Sequence, residues 1–387
     1  MTVLLKTLFL TGTGYAVTLI YTYILINQAS PETISQVNIY ESSLAIISAL
    51  ISLGVVQDAS RKIASSTEPW KNYYYQTQGF RLTLALTISF ISLLLYVLTN
   101  KDLYLLGLSS IGIAMSGDFA LYAINKPIKG SIVGVARSIT FSAIMLGFVF
   151  HTSTEISATQ ITIAWTISFI ICGYLSSRYL DTNYLIAPSL PSLPTMKTIG
   201  LIAILMFIYN NIRPSFILLI NTDITIEEHV YYFEIYKIYF ILFSLKRVIV
   251  QVYYKKIITE KSGARYDVVI LGTLLAAVGA LWAAKYLISY FNIEIHALSY
   301  EILFDLTIIT VISSIFTTAF TKLFSVNRDI LIAIPILLAT IFIFAATNIL
   351  KINEAHISSY IYTLGLAELI VGLSSIYLLR MVNKISK

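Results

Sequence analysis

Of the 387 residues, 57% are hydrophobic and only 12% are charged, with a mean hydropathy of +0.80, against about 45–50% apolar and about 25% charged in a soluble domain. A soluble chain of this length would need a charged skin that this composition cannot supply, so lipid is its main solvent. The net charge of +6 does not point to nucleic acid, because the basic residues sit between apolar runs and form no stripe, and the single cysteine, Cys172, excludes an intrachain disulfide.

Crossing the hydrocarbon core takes about 20 mostly apolar residues. Such runs fall, in chain order, at 4–26, 40–58, 80–98, 103–124, 131–151, 158–177, 198–220, 229–248, 267–290, 301–322, 329–350 and 357–379. They are long and continuous, which predicts helices and not the short alternating strands of a barrel. The first follows one lysine and has neither a short apolar core nor a small-residue cleavage site, so it reads as an uncleaved span. Twelve spans place alternate connections on opposite sides, and 21 of the 26 basic residues then fall on one side. That count includes Arg81, Arg137 and Lys246 as connection residues. By the positive-inside rule this side, with both termini, is expected to be cytoplasmic.

The longest interruption runs from Arg178 to Lys197 and carries Pro188, Pro191 and Pro194, a composition that favours an extended linker. The expected organisation is an N-terminal six-helix lobe over 1–187, a Pro-rich cytoplasmic linker over 188–197 and a C-terminal six-helix lobe over 198–387. Six is even, so both lobes have the same orientation, as in transporters with parallel repeats.

Charged groups inside spans are expensive and are candidate functional residues. Arg213 follows Asn210-Asn211-Ile212 and precedes Pro214, which removes a backbone donor and loosens the helix. Glu234 and Lys237 are three apart in the next span and share a face. These three either pin two helices together or present a cationic surface to a water-filled cavity. Asp118 and Glu368 are each a proton- or sodium-linked carboxylate or a hydrogen-bonded packing residue. Glu301 and Asp305 suit a helix start, and Lys285 can snorkel. The four histidines, His151, His229, His296 and His356, lack ligand spacing, so no metal site is expected. Phosphate-binding, dinucleotide and nucleophile motifs are missing too, which argues against an enzyme and against a cofactor.

Three stretches resemble the O-antigen and polysaccharide flippases of the multidrug/oligosaccharidyl-lipid/polysaccharide (MOP) exporter superfamily. Ile51 to Ala64 is similar to that family's Leu-Gly helix end with its Arg-x-Ile-Ala turn. Gly117-Asp118 through Asn125-Lys126-Pro127 to Arg137 is similar to its loop between helices 4 and 5. Asn211-Ile212-Arg213 through Tyr236-Lys237 resembles its helix 7 to 8 hairpin, with Pro214 as a departure. The resemblance implies an all-α integral membrane protein of twelve helices in two six-helix, MATE-like bundles around a central cavity. It also implies a bacterial inner-membrane flippase for polyprenyl-pyrophosphate-linked oligosaccharide, driven by H+ or Na+ and working beside other polysaccharide-assembly membrane proteins. On that reading Arg213 and Lys237 contact the anionic lipid-linked glycan, and Asp118, Glu234 or Glu368 balance charge or bind the coupling ion. The alternatives are a drug/cation antiporter of the same superfamily and a membrane-embedded polymerase or glycosyltransferase.

Overall fold

The computed structural model describes residues 2–52, 54–65, 70–152, 156–190, 204, 207–208, 225–259, 264–290, 300–323, 329–352 and 357–385. All the regular structure among them is helical. The chain divides into two compact units, Met1–Thr222 and Asp223–Lys387. Of the linker expected at 188–197, only 188–190 lies among the described residues.

Unit 1 contains α1 (Thr2–Gln28), α2 (Pro31–Ser52), α3 (Val55–Ser65), α4 (Trp70–Thr99), a 3-10 helix (Asp102–Ser109) that runs into α5 (Ser110–Met115), α6 (Asp118–Ala123), α7 (Pro127–Thr152) and α8 (Ala158–Leu180). Here α1 packs on α7, α7 on α8, and α4 on the 3-10 helix and α5. Unit 2 contains α9 (Ile226–Thr259), α10 (Ala264–Tyr290), α11 (Tyr300–Ser314), α12 (Thr317–Leu323), α13 (Asp329–Ile352) and α14 (Ile357–Ile385). In it α13 and α11 pack on α14, and α10 packs on both α9 and α11.

Among the described residues, ten segments are long and apolar enough to cross a membrane, and each overlaps one of the predicted runs. The protein is a multi-pass membrane protein. Of the other two predicted runs, 229–248 lies inside α9, whose charges keep it out of the apolar set, and 198–220 falls almost wholly outside the described residues. Large apolar side chains such as Phe9, Phe90, Val97, Phe150, Ile341 and Phe344 stand exposed on the helices, as expected where the neighbouring medium is hydrocarbon.

Two predicted spans start too late. The second was expected from residue 40 and begins at Pro31; the third was expected from residue 80 and begins at Trp70. In both, the early turns carry polar side chains that face inward: Thr33, Asn38 and Ser42 in α2, and Thr77, Gln78 and Arg81 in α4, are all buried. Hydropathy reads such residues as solvated, although in a membrane protein the interior can be the more polar side. The stretch expected as an Arg-x-Ile-Ala turn is helix α3. It follows Gly54, whose φ of 67° is left-handed and suited to glycine. Asp58 of α3 is buried and is neutralised on its own helix by Arg61 at 2.8 Å and Lys62 at 2.7 Å.

One spanning segment of each unit is broken: the fourth described in unit 1, and in unit 2 the one made of α11 and α12. In unit 1 the helix stops at Met115 and restarts at Asp118, with Ser116 extended at ψ 130° between them. In unit 2 it stops at Ser314 and restarts at Thr317, with Phe316 left-handed at φ 61°. In each unit a neighbouring helix, α8 in unit 1 and α14 in unit 2, passes close to the break at a glycine. A Cβ on Gly173 would lie 2.7 Å from the Met115 carbonyl oxygen, and one on Gly372 would lie 2.8 Å from that of Ile315. Backbone cannot yield to such contacts cheaply. Gly173→Ala and Gly372→Ala are each expected to lower stability by about 1–3 kcal/mol. Gly134→Ala and Gly272→Ala, in helices where an added methyl meets nothing within 4 Å, are expected to be neutral or slightly stabilising. Thermal unfolding of the detergent-purified variants checks the contrast.

Candidate functional site

Breaking a helix inside a bilayer frees carbonyl and N–H groups that lipid cannot satisfy, at a cost of several kcal/mol for each group left bare. The break in each unit is sealed by ionic side chains from other helices.

In unit 1 the seal is Arg81, the twelfth residue of α4 and 3% exposed. One guanidinium nitrogen donates to the Ser116 carbonyl at 2.5 Å and to Gln78 Oε1 at 2.6 Å, and another donates to the Ile113 carbonyl at 2.9 Å. Gln78 Nε2 donates in turn to the Ser116 carbonyl at 3.2 Å. Arginine suits this position because its rigid fork reaches several acceptors at once. Asp118, the first residue of α6, lies half-buried at a helix start, where a carboxylate is favoured. Its charge acts on both Arg81 and Arg137.

In unit 2 both ends of the break are held. Lys246 of α9 donates to the Ser313 carbonyl at 2.9 Å and pairs with Glu368 of α14 at 3.0 Å; their side chains are 5% and 9% exposed. On the other side, Asp267 of α10 accepts from the Thr318 backbone N–H at 2.9 Å and from its hydroxyl at 2.8 Å. The charge of Lys246 also acts on Asp267. Five helices therefore meet at one discontinuity.

This corrects the placement of three cations. Arg81 and Lys246 were expected in cytoplasmic connections and are buried inside helices. Arg137, expected in the connection between the fourth and fifth spans, lies within α7, half-buried, with its guanidinium carbon 5.1 Å from the centre of the Phe169 ring. Among the described residues no carboxylate lies within ion-pairing distance of Arg137. Its surroundings, besides Asp118, are Tyr15, Tyr122 and Cys172. A polar flank misled the reading in each case. The usable signal was position: Arg81 lies one residue into an apolar run and Lys246 two residues before the end of one.

The sequence-predicted residues divide as follows. Asp118 is in unit 1 beside the break, and Glu368 is in unit 2 beside the other. Lys237 lies on α9 with its ammonium 4.8 Å from the centre of the Phe233 ring. Glu234 is on the same helix, one turn earlier. Arg213 falls outside the described residues. Asp305, expected to suit a helix start, accepts a hydrogen bond from the Tyr362 hydroxyl at 2.5 Å. No group of three or more metal-ligating side chains occurs among the described residues.

Removing Arg81 takes a charge-assisted donor, worth about 1.5–3 kcal/mol, from each of two carbonyls and leaves them only neutral partners, Gln78 for Ser116 and the Ser116 N–H and hydroxyl for Ile113. Arg81→Met is therefore expected to lower the unfolding midpoint strongly. Arg81→Lys, which keeps the charge but loses the fork, should fall between it and the unsubstituted protein. Equal midpoints for the methionine and lysine variants would show that the fork contributes nothing.

No family model matches the sequence, and no curated protein matches it significantly. Solved structures do. A MOP superfamily transporter from Pyrococcus furiosus, described as having a binding pocket of reverse polarity, aligns with a TM-score of 0.65 over 99% of this chain and 96% of that one, at 13% identity. The MATE multidrug transporter DinF-BH, solved in complex with a ligand, aligns with a TM-score of 0.66, covering 98% and 94%, at 14% identity. An outward-facing MATE family transporter gives a TM-score of 0.59 with 98% and 94% covered, at 14% identity. The fold is that of the MOP superfamily transporters.

Proposed function

We propose that this chain is a membrane transporter whose cargo is anionic: polyprenyl-pyrophosphate-linked oligosaccharide repeat units, of O-antigen or of capsular or exopolysaccharide, moved from the cytoplasmic to the periplasmic leaflet by ion-coupled alternating access. The observation that carries this reading is Arg137, a guanidinium inside a spanning helix with no carboxylate in ion-pairing range among the described residues. An in-span cation is costly and by default marks a pathway. Arginine is the side chain best matched to phosphate oxygens. The MOP fold supports transport, and the pocket of one of its members is described as having a reverse polarity that suggests a different function. Lys237 and Arg213 are proposed to contact the same head group, with Asp118, Glu234 and Glu368 balancing charge or binding the coupling H+ or Na+.

A drug/cation antiporter is the second reading. It is favoured by the MATE multidrug transporters among the structural neighbours. The two differ in the sign of the cargo. In proteoliposomes the proposed protein should bring a pyrophosphate-linked glycan within reach of an added glycosidase and should leave a cationic dye such as ethidium undisturbed.

Arg137→Ala is expected to reduce glycan translocation by about tenfold or more, the equivalent of one charge-assisted hydrogen bond at about 1.5–3 kcal/mol. Its membrane abundance should be unchanged, and Arg137→Lys should recover part of the loss. Arg213→Ala is expected to abolish transport with insertion intact. Dye efflux in place of glycan translocation, or full activity of Arg137→Ala, would transfer the conclusion to the antiporter.

A further inference from the structure

Unwound backbone inside a membrane protein presents carbonyl oxygens to a cavity, and in transporters with broken helices such oxygens coordinate coupling cations. Here the oxygens at the unit 2 break already have a cation. Lys246 Nζ lies 2.9 Å from the Ser313 carbonyl oxygen and 3.0 Å from a carboxylate oxygen of Glu368. Asp267 adds negative charge from the opposite end of the break. Both of these partners are oxygens, the donor type that suits a hard cation. We infer that the ammonium of Lys246 occupies a cation-coordinating site in unit 2 as a built-in ion, doing the work that an exchangeable Na+ or K+ would do there.

Unit 1 provides an independent instance of the same solution. Its break exposes the carbonyls of Ile113 and Ser116, and the guanidinium of Arg81 fills that position. Two unrelated side chains, delivered from different helices, put a covalently tethered positive charge on the carbonyls of a broken span. A tethered ion cannot exchange with solvent. The unit 2 break is therefore a fixed joint, which leaves Glu368 the charge-balancing role of the two proposed above and leaves the coupling ion to the other carboxylates.

Truncating Lys246 should convert the site into one that takes a metal ion, since the carbonyl and the Glu368 carboxylate remain and the lysine stem leaves room. The test compares thermal unfolding of purified protein in NaCl and in N-methyl-D-glucamine chloride at equal ionic strength and pH. The unsubstituted protein is expected to have the same midpoint in both. Lys246→Ala should have a lower midpoint in N-methyl-D-glucamine and recover saturably as NaCl is added. Lys246→Ala combined with Glu368→Gln should lose that recovery. Lys246→Ser, which adds a hydroxyl ligand, takes the same comparison if the alanine variant does not fold.

A Lys246→Ala midpoint identical in the two salts would overturn the inference. So would saturable Na+ stabilisation of the unsubstituted protein that Glu368→Gln removes, a result that can be read even if no Lys246 variant is recovered. None of these readouts involves cargo, so they stand or fall separately from the transport assays.

Discussion

Hydrocarbon offers no hydrogen bonds, and this constraint decides where the charges of the protein sit. A continuous helix meets it internally. A discontinuous one must borrow donors and acceptors from its neighbours, and the groups best able to supply them across a gap are long side chains with fixed charge. Arg81, Lys246 and Asp267 are placed accordingly: cations at the carbonyl ends of the breaks, the carboxylate at an N–H end. The close passage of α8 at Gly173 and of α14 at Gly372 follows from the same geometry, because the exposed carbonyls project where a side chain would otherwise stand.

Burying these charges is costly, and the compensation differs between units. In unit 1 the two terminal guanidinium nitrogens donate to neutral carbonyls and to Gln78, the buried Nε–H has no partner among the described residues, and Asp118 contributes its field. In unit 2 the ammonium has a full counter-charge in Glu368. A buried pair of this kind is weak evidence for net stability but strongly fixes geometry, since leaving either partner alone costs about 3–5 kcal/mol. Glu368 is therefore held in a defined position against Lys246.

Much of the architecture was legible from composition alone. Ten apolar runs map onto spanning segments because the outward faces of these helices are greasy, and outward faces dominate a hydropathy average. The inward faces are what the reading missed. Asn38, Gln78 and Arg81 look like the approach to a helix and are instead its interior. The breaks left little trace either. Ser116-Gly117 is a plausible interruption, but Ile315-Phe316 is wholly apolar and its left-handed phenylalanine has no sequence signature. Asp118 and Glu368 were found as candidates because an acid in an apolar run is conspicuous. Lys246 and Arg81 were overlooked because a cation near the edge of a run is what topology itself produces. Asp267 was missed because it stands at the very start of its run, where an acid reads as an ordinary helix start.

The separation in sequence between Lys246 and its partners bears on how the chain is made. Ser313 lies 67 residues downstream and Glu368 lies 122 residues downstream, so during synthesis α9 is complete well before either acceptor exists. An ammonium near the middle of a helix costs about 2.5–3.5 kcal/mol on insertion scales. Arg81 waits a shorter time, since its carbonyls arrive 32 to 35 residues later. Biogenesis of the second unit thus has a built-in delay: the charge on α9 has no counter-charge from Glu368 until α14 arrives.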